Sequence, residues 1–192
     1  MRSERHARRP ARLGRARGRR HVAQLLLYLP ILLAGSRDPG VLLELDREAY
    51  ELRPRDLATG DAGPPLRLVL GSPAHPTPSG VYPLDRVVRN PGWYPGAVAR
   101  SFGARPVLPS SAGPLGVGKI PFASGGEIAL HGGADPLLLG KPVSLGCARA
   151  TDHDLLRLIA WLEARDALDP PRERAGGELH QRFRRPARVR VR

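Results

Sequence analysis

The sequence predicts a mainly β domain with one short helix near its C-terminal side. From Val41 onward, apolar runs of four or five residues are separated by turn residues, the rhythm of an all-β domain. The 21 prolines and 22 glycines among 192 residues are roughly twice the usual combined usage, more punctuation than a bundle of long helices tolerates. A hydrophobic share of 41% is enough to bury one core, so one folded domain with flanking tails is the simplest organisation.

Val41-Leu42-Leu43-Glu44-Leu45 and Glu48 to Leu52 read as a first hairpin, with Asp46 and Arg47 at the turn. Leu66 to Leu70 reads as a strand ended by Gly71. In Pro76-Thr77-Pro78-Ser79-Gly80, proline fixes φ and glycine permits positive φ, so a tight turn feeds a strand from Val81 to Leu84. Asn90 to Pro95 is a second rigid loop, and residues 100–118 read as a long surface loop. Glu127 to Leu130 is a short strand ending at His131-Gly132-Gly133. Thr151 with Asp154 three residues on resembles a capping box. Leu155, Leu158, Ile159 and Leu162 then form one apolar helical face, which the sequence predicts to run until Pro170-Pro171.

The net charge of +13 is concentrated at the ends. Residues 1–20 hold nine Arg and one Glu, residues 171–192 hold eight Arg and two Glu, and the middle is close to neutral. A folded part without excess basicity need not bind nucleic acid, and 5% aromatic content is low for a base-stacking surface. Residues 169–192 are therefore expected to be a basic, disordered tail, able to cling to a polyanion by charge alone. The Arg-rich start is followed by the uncharged, Leu-rich Val22 to Gly35 and then Ala34-Gly35-Ser36. A positive segment, an apolar segment and a small-x-small site read as an export signal or anchor over residues 1–36. The competing reading is a buried strand or helix of the domain.

Chemistry is to be sought at Cys147, the single cysteine, in Ser144-Leu145-Gly146-Cys147-Ala148-Arg149 directly before the capped helix. One cysteine excludes a disulfide and a cysteine-built zinc site within the chain. A helix N-terminus and a nearby arginine both lower a thiol pKa, so the sequence predicts a reactive nucleophile, against the alternative of a buried structural cysteine. His131, sixteen positions upstream and followed by two glycines, suits the general base. His153 lies in the first helical turn and is expected to face solvent, and His75 sits in the Pro-rich loop.

His131-Gly132, Ser144-x-Gly146-Cys147-x-Arg149 and Asp154-Leu155 together resemble the L,D-transpeptidase (YkuD-type) catalytic domain. Pro76-Thr77-Pro78-Ser79-Gly80-Val81-Tyr82, Asn90-Pro91-Gly92-Trp93 and Gly113-Pro114-Leu115-Gly116 are similar to further segments of that family, in family order, over residues 41–168. Leu145, Ala148, Gly133 and Asp152 depart from its common residues. The resemblance implies a β-sandwich-like catalytic domain with a short helix after the cysteine, acting on peptidoglycan stem peptides in the cell envelope. It implies Cys147 as nucleophile, His131 as base, Ser144 holding the imidazole through its carbonyl, and Gly146 helping to bind the oxyanion. Arg149 and Gly132 would line the substrate, with no metal or organic cofactor and no specific nucleic-acid partner. Membrane contact would come only through residues 22–35. The alternatives are hydrolysis as an L,D-carboxypeptidase, anchoring of an envelope protein by the same site, and a basic nucleic-acid-associated protein.

Overall fold

In the computed structural model, which describes residues 39–174 and 176–192, β1 (Val41–Asp46) and β2 (Glu51–Asp56) form the expected hairpin, with Asp46 opposite Glu51. The Asp46 carboxylate accepts the Glu48 and Ala49 amides, each at 3.0 Å, and so closes the turn locally. The second strand begins three residues later than the sequence suggests, because Tyr50 takes a φ of +52° and completes a four-residue connection.

Leu66 to Leu70 does not stay in one strand. It divides into β3 (Leu66–Arg67), paired with β2, and β4 (Leu70–Gly71), which pairs parallel to a later strand. Leu66, Leu68, Val69 and Leu70 are all buried, which is what a segment crossing between sheets through the core requires. The chain continues through β5 (Gly80–Pro83), β6 (Arg86–Arg89), α1 (Ala97–Ser101), β7 (Gly118–Ala123), β8 (Ile128–His131), β9 (Pro142–Ser144) and β10 (Ala148–Arg149). Then follow α2 (Asp152–Glu163), β11 (Arg172–Glu173), β12 (Leu179–Arg182) and β13 (Ala187–Val191). The surface loop expected over 100–118 is thus preceded by a short helix, and β6 and β7 add to the strands read from the sequence.

Among the described residues three sheets result: β3-β2-β1-β13-β5, β10-β8-β7-β6-β12-β11 and the pair β4-β9. The fold is mainly β and β-sandwich-like. Alternate residues of the larger sheet, Val87, Ile120, Leu130 and Ala148, join Leu43, Leu45, Val189 and Val191 of the other in one core. The buried face of α2, formed by Leu155, Leu158, Ile159 and Leu162, belongs to that core as well. Thr151 caps α2 by accepting the Asp154 amide at 3.1 Å, as the sequence predicts. The helix ends seven residues before Pro170. Asp166 adopts φ +51°, while Asp166 N–H donates to Glu163 and Ala167 N–H to Leu162, a Schellman closure without the usual glycine.

The basic tail expected over 169–192 is corrected: it is folded. β13 lies between β1 and β5, parallel to the first and antiparallel to the second. Ala187-Arg188-Val189-Arg190-Val191 alternates buried and exposed, a strand pattern hidden beneath a composition that reads as disorder. The arginines find acids of the central region: Arg190 with Glu44 at 3.4 Å, Arg182 with Asp85 at 3.7 Å, and Arg184 with Asp166 at 3.6 Å. Exposed pairs of this kind are each worth under about 1 kcal/mol. Arg185 with Asp56 at 2.7 Å is different, since Asp56 is buried. Residues 1–36, with the expected export or anchor segment, lie outside the described residues, among which no helix is long and apolar enough to cross a membrane.

Removing residues 184–192 is therefore expected to abolish cooperative thermal unfolding, and Val189→Ala to cost about 2 kcal/mol from lost burial and the cavity left behind. Circular dichroism melts of the two variants check this, and a truncated protein melting like the parent would return the segment to the status of a tail.

Candidate active site

β8 is the strand on which the site is built. It pairs antiparallel with β7, Lys119 opposite His131, and parallel with β10, Arg149 opposite His131. Residues opposite one another point to the same face, so Lys119, His131 and Arg149 form a row. Cys147 stands two positions before Arg149, at the end of the turn that leads into β10, with its thiol in electrostatic reach of Arg149 and Lys119. On the other face, Ile120, Leu130 and Ala148 enter the core. The far edge of β10 is held by Val69, whose amide and carbonyl both bond to Arg149 at 2.8 Å.

The turn that presents the thiol is shaped by Ser144. Its hydroxyl donates to the Cys147 carbonyl at 2.6 Å and accepts the Gly146 amide at 3.1 Å. Gly146 has φ +111°, and a β-carbon there would meet Ile128 Cδ1 at 2.8 Å, so only glycine fits. Behind the turn stands the Pro76-Thr77-Pro78 loop, locked by Thr77 Oγ1, which accepts the Gly71 amide at 2.9 Å. Cys147 is half-buried, and its Sγ lies 3.6 Å from the Glu127 carbonyl.

His131 is buried, with Nδ1 at 2.7 Å from the Gly132 carbonyl. A carbonyl can only accept, so Nδ1 carries the hydrogen and Nε2 keeps its lone pair for a proton. The expectation that the Ser144 carbonyl holds the imidazole is thereby corrected: that carbonyl accepts the Ser72 amide at 2.9 Å. Gly132, expected to line the substrate, fixes the orientation of the His131 ring through its carbonyl. It must be glycine because a β-carbon would meet Asp152 Oδ1 at 2.2 Å. That same oxygen accepts the Val117 and Gly133 amides, each at 2.9 Å, and so ties the loop after His131 to the start of α2. The Gly146 amide is committed to Ser144, while Cys147 N–H forms no backbone hydrogen bond among the described residues.

Burial drives the electrostatics. It pushes the His131 imidazole down to about 4, with Arg149 and Lys119 pressing the same way and the Gly132 bond opposing. Burial also pushes the Cys147 thiol up, against the Ala129 amide, Arg149 and Lys119. The lowered thiol pKa expected from the sequence is corrected accordingly. α2 starts five residues after the sulfur and directs its first turn at its own Asp152 and Asp154. Both shifts favour the neutral forms, a thiol and an uncharged imidazole, at neutral pH.

His153 is exposed, as expected, and His75 lies in the loop behind the nucleophile turn. Lys119 was legible only as one of two lysines in an arginine-rich chain. Its place depends on strand register. Its Nζ is 3.4 Å from the Gly92 carbonyl, and burial lowers its pKa while Glu178 opposes the shift. Glu178 accepts the Gly92 amide at 2.7 Å, so the C-terminal segment also braces the Asn90 to Pro95 loop. Among the described residues, no group of three or more His, Cys, Asp and Glu side chains is placed to hold a metal ion.

The family model for the L,D-transpeptidase catalytic domain (YkuD) matches residues 43–173. The chain belongs to this family. Among solved structures, an L,D-transpeptidase from Mycobacterium tuberculosis H37Rv is 18% identical with a TM-score of 0.51, over 80% of this chain and 57% of that one. A cysteine-to-serine mutant of the Enterococcus faecium L,D-transpeptidase is 15% identical with a TM-score of 0.52, over 80% and 50%. L,D-transpeptidase 3 of M. tuberculosis, with a faropenem-derived adduct, is 17% identical with a TM-score of 0.50, over 79% and 60%. At these identities the likeness is one of fold, and the chain spans about half to three-fifths of the length of those structures. No curated protein matches.

With a raised thiol pKa, Cys147 is expected to react with iodoacetamide more slowly at pH 7 than free cysteine, and to accelerate with pH beyond the point where free cysteine levels off. Mass-spectrometric alkylation rates across pH 6–10 check this, and a rate above that of free cysteine at pH 7 would restore a depressed thiol.

Proposed function

We propose that the protein is a peptidoglycan L,D-transpeptidase of the cell envelope, with Cys147 as nucleophile and His131 as general base. What supports the reading is an imidazole whose Nδ1–H is fixed, with Arg149 and Lys119 in electrostatic reach of both His131 and Cys147, inside a domain of this family. Sγ attacks the carbonyl of the third residue of a stem peptide, at the L-centre of its diamino acid, as Nε2 takes the thiol proton. The Cys147 amide faces the developing oxyanion. The C–N bond to the terminal D-alanine then breaks, and the proton passes from Nε2 to the leaving amine.

An amine of a second stem attacks the resulting thioester, loses its proton through Nε2 to the departing sulfur, and forms the cross-link. General-base assistance of this kind is worth about 10²- to 10⁴-fold and an oxyanion donor about 10²- to 10³-fold. Arg149 and Lys119, flanking His131, offer positive charge to the carboxylate of the leaving residue. They also keep the imidazole neutral, so it remains a base down to mildly acidic pH. The Arg-rich start followed by an apolar run is assigned to export or anchoring, since the substrate lies outside the membrane.

The purified protein, incubated with disaccharide-tetrapeptide muropeptides, is expected to release D-alanine and form dimers detectable by mass spectrometry. Cys147→Ala should abolish both, and His131→Ala should slow them by at least 10²-fold. D-alanine release without dimers would replace transfer by hydrolysis, and a His131→Ala variant at parental rate would remove the base.

A further inference from the structure

The Gly132–Gly133 peptide unit is bonded at both of its polar ends. Its carbonyl oxygen accepts Nδ1–H of His131 at 2.7 Å, and its N–H donates to Asp152 Oδ1 at 2.9 Å. A peptide unit is planar, and in a trans unit such as this the C=O and N–H point in opposite directions. The direction of one bond therefore fixes the direction of the other. Asp152 belongs to the first turn of α2, far from His131 in sequence, yet a single rigid amide separates its carboxylate from the imidazole.

The peptide just before this one is pinned by the sheet: the His131 carbonyl accepts the Ala150 amide at 2.8 Å, and the Gly132 N–H donates to the Gly118 carbonyl of β7 at 3.1 Å. The Gly132–Gly133 unit lies past the end of β8, and among the described residues neither its C=O nor its N–H has a backbone partner. Gly133 turns at φ +73°, and glycine on both sides leaves the amide free to rotate unless something outside the ladder anchors it. Asp152 is that anchor and is itself well held. Thr151 caps its helix, Leu155, Leu158, Ile159 and Leu162 bury the helix face, and the same Oδ1 also accepts the Val117 amide at 2.9 Å.

We propose that Asp152 is a positioning residue for His131, acting through the Gly132–Gly133 peptide as the acid of a hydrolase triad acts through a direct bond. Its effect on turnover rests on the transpeptidase reading, whereas its effect on the imidazole does not. A carboxylate at the N–H end polarises the amide and makes the Gly132 oxygen a stronger acceptor. That acceptor holds Nδ1 as the donor and leaves the lone pair on Nε2. The intervening peptide also keeps the negative charge at a distance. Burial is the largest influence on the His131 pKa and lowers it, Arg149 on β10 and Lys119 on β7 add to the lowering, and the Gly132 bond and the Asp152 charge oppose it without reversing it. The ring is thus oriented by an acid and still favoured in its neutral form.

The test compares the unsubstituted protein with Asp152→Asn, which keeps an oxygen acceptor and removes the charge, and with Asp152→Ala, which removes both. Proton and nitrogen-15 NMR of the His131 ring reads the bond itself. Asp152→Asn should keep the Nδ1–H tautomer but move the Nδ1–H proton upfield, as the Gly132 oxygen becomes a weaker acceptor. Asp152→Ala should mix the two tautomers and lower kcat on disaccharide-tetrapeptide muropeptide about tenfold with KM unchanged, the size of one lost charge-assisted bond. Asp152→Asn should recover most of that loss. An Nδ1–H signal in Asp152→Asn identical to that of the unsubstituted protein overturns the proposal, whether or not Asp152→Ala folds. An Asp152→Ala protein with the parental tautomer and kcat overturns it too, as does one whose kcat falls while the Nδ1–H signal stays in place, the result of a role in stability alone. Turnover by the unsubstituted protein judges the enzyme separately: a tautomer that depends on Asp152 in a protein without turnover removes the activity and leaves the positioning role.

Discussion

Everything at the site depends on the register in which β10 lies beside β8. Arg149 opposite His131 and Ala148 opposite Leu130 place the guanidinium and the imidazole on the face turned away from the core. A slip of one residue would bury Arg149 and turn Ala148 outward. The register is held from both edges, by β7 beyond β8 and by the paired bonds of Val69 to Arg149. It is held again at the ends, where Asp152 gathers the Val117 and Gly133 amides at the start of α2. The small residues around it, Gly116, Gly132 and Gly146, are places where a β-carbon would strike Asp152 or Ile128.

Given that placement, burial sets the protonation states. A buried histidine flanked by Lys119 and Arg149 stays neutral well below the usual imidazole range, and burial holds the pKa of the Cys147 thiol above its own. In the proposed reaction the fixed lone pair on Nε2 would receive the thiol proton only as sulfur attacks. The cations around the site disfavour a standing imidazolium.

Much of this was legible in the sequence where a residue type has one physical use. Thr151 announced the start of α2 and Gly146 the tight turn before Cys147, and each stands where the order of motifs implied. Long-range pairing was not legible. Residues 169–192 read as a tail because their charge outweighs the period-two pattern of Ala187 to Val191, and only β1 and β5 on either side explain why that strand is buried. The end of α2 was misplaced because Asp166, not a glycine, takes the left-handed turn. Lys119 and the Gly132 carbonyl entered the site through register and backbone direction, which single residues do not display.

The central claim is a neutral, Nδ1-protonated His131 poised to accept a proton, and nitrogen-15 NMR of the imidazole tests it most directly. The account predicts an Nδ1–H tautomer at neutral pH that titrates only near pH 4. An Nε2–H tautomer, or a ring that protonates at the ordinary value of about 6.5, would contradict it.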